Sequence, residues 1–366
     1  MPFLIDAHLD LAYNMLVFNR DYRRSVAQTR ALEKNTPVPE RNGEALVGWE
    51  EMQRGQVGLV VGTLYISPHT SAKEWDTQQY RDRNTARKLH LEQVAAYEQL
   101  CDQSPEMFTM VRTRQELGGV LQDWQTPADF PHRTHPVGII LSMEGAEGLP
   151  HLQDLTEWRE RGLRLLGPVW GGGRYCGAAW GKDLTIGFDR EGYELLTLMA
   201  EVGIALDVSH MNHVSMRQAI DFYPGEVVYA SHLACESVYG ASWQRLITDD
   251  SIAALVERDG VVGLVPANYF LRSDFGRNDP RDKVSLTSLA DHVDHVCQQA
   301  GSAAHVALGT DFDGGFGLSV VPKELNSIAD LQLLADVLKN RGYNEDDIAQ
   351  IFHGNWQRLL LKIFAD

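Results

Sequence analysis

The sequence predicts an α/β protein, a (β/α)8 TIM barrel forming one domain over residues 1–366. Short apolar, β-branched runs alternate with amphipathic stretches along the chain, and the runs number eight. They are apolar throughout rather than alternating, as expected of strands buried on both faces, which favours a closed parallel barrel over an open doubly wound sheet. No low-complexity segment or linker divides the chain in two.

The eight runs are residues 3–10, 57–67, 137–144, 163–170, 203–210, 227–232, 261–267 and 306–311. Helical patterning lies between them at 81–101, 192–202, 215–222, 250–258 and 286–300, and after the last run at 329–340 and 346–364. Long polar connections follow the first (18–48), second (68–81), fourth (171–189) and seventh (271–283) runs. In a barrel these are βα loops, which gather at the face where active sites form.

Composition narrows the function classes. The chain is 44% hydrophobic, and 33 Lys and Arg against 50 Asp and Glu give a formal charge of -17. That balance argues against nucleic acid or an anionic membrane as partner, since both require a basic face. No apolar run approaches the ~18 residues that span a bilayer, and the N-terminal residues read as a strand rather than a leader. Four scattered cysteines (Cys101, Cys176, Cys235, Cys297) contain no Cys-x-x-Cys pair. They fit a reducing compartment, so a cytoplasmic protein is expected.

Five of the eight runs end in His, Asp or Glu. The first ends Asp6-Ala7-His8-Leu9-Asp10, and its His8 and Asp10, two apart in an extended strand, point to one side. The third ends at Glu144, the fifth at His210, the sixth at His232, and the eighth runs into Gly309-Thr310-Asp311-Phe312-Asp313-Gly314. Taken singly, a strand-end histidine is ordinarily a hydrogen-bonded core residue, Glu144 a solvated loop acid, and Asp10 or Asp313 a helix N-cap. Together, three imidazoles and two or three carboxylates around one ring are costly to bury unpaired. A metal centre offsets that cost, and mixed His and carboxylate ligands suit zinc and neighbouring first-row ions.

In this order the motifs are specific. Asp-x-His-x-Asp (Asp6 to Asp10), Glu144-Gly145, Asp-x-Ser-His (Asp207 to His210) and Ser231-His232 are followed by Arg-x-x-Thr-Asp (Arg245 to Asp249). Then come Gly-x-Asp-Phe-Asp-Gly (Gly309 to Gly314) and Gly354-Asn355. Over nearly its whole length the chain resembles the membrane (renal-type) dipeptidases, a branch of the metal-dependent amidohydrolase-like barrels. The resemblance implies two zinc ions, one held by His8 and Asp10, the other by His210 and His232, with Glu144 bridging them. It implies a metal-bridging hydroxide that attacks the amide of a dipeptide, and Asp311 as the catalytic residue that orients the water and passes a proton to the leaving amine. Arg245 would clamp the substrate carboxylate, although about two extra residues precede it here. A homodimer is the family's expectation.

One position departs from that pattern. Where the family carries a histidine at the end of the fourth strand, this chain has Trp170, which cannot accept a hydrogen bond or carry charge. Its indole either closes the barrel or stacks on substrate; Arg174 or Tyr175 in the following loop are alternative donors. The altered pocket keeps a lactonase or N-acyl amino-acid deacylase open beside the dipeptidase; a non-catalytic metal-binding barrel would require loss of Asp311 or a ligand, and neither is lost. His292 and His295, spaced with Asp291 and Asp294, mimic a metal-binding helix but are expected on a solvated helix face.

Overall fold

In the computed structural model, residues 1–276 and 278–365 are described; Arg277, inside the predicted 271–283 connection, and Asp366 lie outside them. Eight parallel strands form the barrel: β1 (Leu4–Leu9), β2 (Val57–Tyr65), β3 (Val137–Glu144), β4 (Leu163–Gly167), β5 (Ala205–Asp207), β6 (Val228–Leu233), β7 (Val262–Leu264) and β8 (Val306–Leu308). They pair in that order from β1 to β8, and Phe108–Met110 adds a short strand to β3. All eight predicted runs are therefore barrel strands. Tyr65 pairs with Glu144 and Glu144 with Gly167, so the C-terminal ends of neighbouring strands come level at one mouth.

The seam between β8 and β1 is closed by a side chain. Asp6 accepts from Thr310 N (2.8 Å), Thr310 Oγ1 (2.6 Å) and His8 N (3.2 Å), and Asp311 N donates to His8 O at 3.0 Å. Burial pushes the Asp6 carboxyl up to about 6 against these three hydrogen bonds.

At the other end of the barrel, helix Asn355–Ile363 packs beneath the strands. Trp356 Nε1 donates to Leu308 O at 2.8 Å, and its ring meets that of Tyr229 edge-on. Asn355 Nδ2 donates to Ala303 O and Val306 O. The Gly-Asn motif thus anchors the barrel floor.

The predicted 18–48 connection contains two helices, Val26–Glu33 and Val38–Asn42. Ser25 and Gln28 form a capping box on the first. Asp313 pins this insertion to the barrel: it lies 3.2 Å from Arg20 Nη1 and accepts from Leu46 N at 2.8 Å. Asp313 is an anchor, not a helix cap. None of the described helices is long and apolar enough to cross a membrane. The four cysteines are unpaired.

Candidate metal centre and active site

The predicted ligands converge because several strands stop early. β5 and β8 end at Asp207 and Leu308, and beyond them His210 (φ +67°) and Asp311 (φ +53°) take the left-handed conformation. Non-glycine residues visit that region at a cost, and such strain concentrates at functional sites. Glycines make the bends possible: a Cβ on Gly314 would stand 1.9 Å from Asp311 Oδ1, and one on Gly309 would stand 1.8 Å from Ser231 O.

Glu144 Oε1 is the hub. It lies 2.6 Å from His210 Nε2, 3.6 Å from His8 Nε2 and 3.7 Å from His232 Nε2. His8 Nε2 in turn lies 3.8 Å from both Asp10 Oδ1 and Asp311 Oδ1. All are buried except Asp311, whose side chain keeps 15% of its surface exposed. The individual alternatives fail on this geometry. Glu144 is not solvated, and Asp10, though at the N-cap position of helix Leu11–Phe18, makes no capping bond.

Hydrogen-bond partners behind the ring favour lone pairs on the inward nitrogens of His232 and His210. Ser231 Oγ gives its one proton to Asp207 Oδ2 (2.5 Å), so it accepts from His232 Nδ1 (2.7 Å), leaving His232 Nε2 bare. Arg245 Nη2, which only donates, points at His210 Nε2 from 3.0 Å. Thr63 Oγ1 faces His8 Nδ1 at 3.4 Å. Burial holds all three imidazoles neutral by lowering their pKa, that of His8 to about 4. Burial raises Asp10, Glu144 and Asp311, and the neighbouring carboxylates raise Asp10 and Asp311 further.

This donor set fits divalent cations. His8 Nε2, Asp10 Oδ1 and Glu144 Oε1 are buried without hydrogen-bond partners, and both His8–Glu144–His232 and His8–Asp10–Asp311 could each hold an ion. Buried, inward-facing nitrogen and oxygen atoms left without partners call for a cation. Asp207, Ser231, Asp6 and Thr63, which stand behind the ring, received no role from the sequence alone. An acid two or three residues before each of His8 and His210 was the available signal, since ligating histidines are commonly oriented by carboxylates.

Arg245 is buried, its guanidinium 5.2 Å above the Phe270 ring and its Nε without a partner. Trp170 is half-buried at the rim, 5.0 Å from the Tyr65 ring and 6.1 Å from that of His210. It borders the site and does not plug the barrel. Arg174 is tied to Glu191 and Leu149 O, and Tyr175 is fully buried, so neither offers the donor expected of that loop. His292 overturns the solvated-face expectation: it is buried, accepting from Cys235 N (3.0 Å) and facing Leu271 O (3.1 Å). His295 pairs with Asp249.

Glu147, near Tyr80, Arg174 and Cys176, is buried with Oε1 unpartnered. Burial raises its carboxyl to about 7, with its own backbone and Arg174 opposing. A raised acid pKa favours the folded state while the proton stays on, and that advantage is lost as pH climbs from the ordinary carboxylate range through 7. In the metal-loaded protein, Glu147→Gln should therefore raise the melting temperature at pH 8 and flatten its fall from pH 5, by on the order of 3 kcal/mol. Thermal melts across that range check this; a variant less stable at pH 8 would mean that Arg174 outweighs burial.

A model of the membrane dipeptidases (peptidase family M19) matches residues 2–364. An uncharacterized protein encoded beside pqqA in Klebsiella pneumoniae is 29% identical over 235 residues, 62% of this chain and 83% of its own length. Dipeptidase 3 of Mus musculus is 24% identical across 86% of this chain and 56% of its own. A metallo peptidase from Rhodobacter sphaeroides, solved with a phosphinate mimic of L-Ala-D-Ala, superimposes with TM-score 0.77 at 22% identity, covering 99% of both chains. The probable dipeptidase PvdM from Pseudomonas aeruginosa gives 0.75 at 16% identity, covering 99% of this chain and 96% of its own. The chain belongs to the membrane dipeptidase family, peptidase family M19, and is a metal-dependent, dipeptidase-like hydrolase.

Proposed function

We propose that the chain hydrolyses the amide bond of dipeptides that carry a free C-terminal carboxylate, using two zinc ions. His8 and Asp10 would hold one ion, His210 and His232 the other, with Glu144 shared. The observation that carries this reading is the convergence of three imidazole Nε2 atoms and unpartnered carboxylate oxygens on Glu144. When bound, such ions polarise a carbonyl and activate water at neutral pH.

The protein's own groups do the rest. Arg245, with an unpartnered buried Nε, would meet the substrate carboxylate. Asp311 is positioned by its backbone bond to His8 O, its pKa pushed up by burial and by Asp10 and Glu144. It would hold the proton that passes to the leaving amine. The Rhodobacter structure's dipeptide mimic supports a ligand of this size. Trp170 favours one second reading, an N-acyl amino-acid deacylase on the same centre, because indole offers an apolar face where a charged amine would otherwise sit.

Stripped protein reloaded with zinc should bind two equivalents per chain and cleave Ala-Ala faster than an N-acetyl amino acid or a lactone. One equivalent at saturation would overturn the binuclear reading. Cleavage of the acylated compound alone would replace dipeptidase with deacylase.

A further inference from the structure

An unbroken line of aromatic contacts, tilted and edge-on, runs from the proposed carboxylate clamp to the open rim. The Arg245 guanidinium lies 5.2 Å over Phe270; the Phe270 ring is 4.9 Å from Trp243, and Trp243 is 5.5 Å from Trp180. The rings come from three different βα connections, those after β7, β6 and β4. Phe270 is buried, Trp243 half-buried, and Trp180 is 50% exposed. Exposure therefore increases with distance from Arg245, as it does along the wall of a pocket that opens to solvent.

Trp180 shares its connection with Leu184 (39% exposed) and Ile186 (50%), so three large apolar side chains face water on one loop. Asn212 Nδ2 donates to Leu184 O and Ile186 O, fastening this loop two residues beyond His210. Trp243 is fixed as well: its N donates to Glu236 Oε1 (3.0 Å), and its carbonyl accepts from Leu246 N (2.9 Å). Fixed aromatic surface beside a cation, left partly open to water, is what an apolar ligand group covers with gain.

We propose that Phe270, Trp243 and Trp180 form the subsite for the side chain of the substrate residue that carries the carboxylate, selecting aromatic or bulky aliphatic C-terminal residues. This rests on Arg245 being the carboxylate clamp. A carboxylate held on Arg245 sets its α-carbon beside Phe270, and the side chain borne there extends along Trp243 toward Trp180. The residue on the amino side of the scissile bond faces Trp170 and Tyr65 instead.

The test is steady-state kinetics on Ala-Gly, Ala-Leu, Ala-Phe and Phe-Gly with the zinc-loaded parent, Trp243→Ala, Trp180→Ala and Trp243→Phe. The parent should prefer Ala-Phe and Ala-Leu over Ala-Gly. Trp243→Ala should lose about tenfold in kcat/KM on Ala-Phe, chiefly through KM, and far less on Ala-Gly and Phe-Gly. Trp180→Ala should show the same pattern more weakly, and Trp243→Phe should restore most of it. Equal losses on all four substrates would make the aromatic line a strut for Arg245 and overturn the subsite. Should the parent cleave no dipeptide, the dipeptidase reading fails separately, and tryptophan fluorescence titrations decide the subsite. Tighter binding of 3-phenylpropanoate than of acetate, lost in Trp243→Ala, supports it, and equal binding overturns it. Arg245→Lys binding both carboxylates like the parent would overturn the clamp, and the subsite with it.

Discussion

Glu144→Gln should weaken divalent-metal binding by on the order of 10²-fold or more at both positions, since even outer-shell partners of metal ligands are worth about 10–100-fold. Its Oε1 lies within 4 Å of all three Nε2 atoms, and the amide keeps the shape while removing the charge. The metal-free protein should respond in the opposite sense. Asp10, Glu144 and the partly exposed Asp311 lie together with raised pKa values, so the folded state keeps protons that the unfolded chain releases. Their share of the metal-free stability is greatest at low pH and falls as pH rises above about 4 through the raised values. His8, His210 and His232, held neutral by burial, give a share that is lost as pH falls below about 6.5. At pH 8 chelated Glu144→Gln should melt higher than the chelated parent, and the gap should narrow toward pH 4. Added zinc should stabilise the parent at pH 8 by about 2.7 kcal/mol at a hundred times its dissociation constant. Calorimetric titration with melts over pH checks both halves. Loss of one equivalent with the other unchanged would place Glu144 on a single ion.

How far the sequence foretold this site depends on which contacts are local. The strands were legible because a parallel barrel buries both faces of each, leaving unbroken apolar runs such as Val137–Leu141. Their ends were not. Runs four, five, seven and eight read longer than β4, β5, β7 and β8; after β5 and β8, His210 and Asp311 leave extended geometry at residues whose composition still reads as strand. The candidate ligands were legible as strand-end His and acids in order. The groups that orient them were not, because Asp6 serves Thr310, 304 residues away, and Asp207 serves Ser231, 24 residues away. His292 misled for the same reason. Its neighbours Asp291 and Asp294 suggest a polar face, whereas its partners, Cys235 and Leu271, come from other elements of the barrel.

Asp311→Asn is expected to keep both metal equivalents while lowering kcat by roughly 10²–10⁴, the range for a lost general acid or base. The substitution isolates the proton because it disturbs little else. Asparagine tolerates the left-handed backbone that Asp311 adopts, and the amide occupies the space that Gly314 leaves open. The bond from its backbone N–H to His8 O, which helps close the β8–β1 seam, survives any side-chain change. Folding should therefore hold, and the metal-free variant should be slightly more stable than the parent, because one of three mutually repelling carboxylates is gone. Asp311 is also the most exposed acid of the ring and lies 3.8 Å from His8 Nε2, near enough to be a ligand. Metal analysis separates the two roles. Full metal with a collapsed kcat, and a pH–rate profile stripped of one limb, assigns Asp311 to proton transfer. Metal lost in step with activity makes it a ligand. An unchanged kcat leaves it only its backbone's part in closing the barrel.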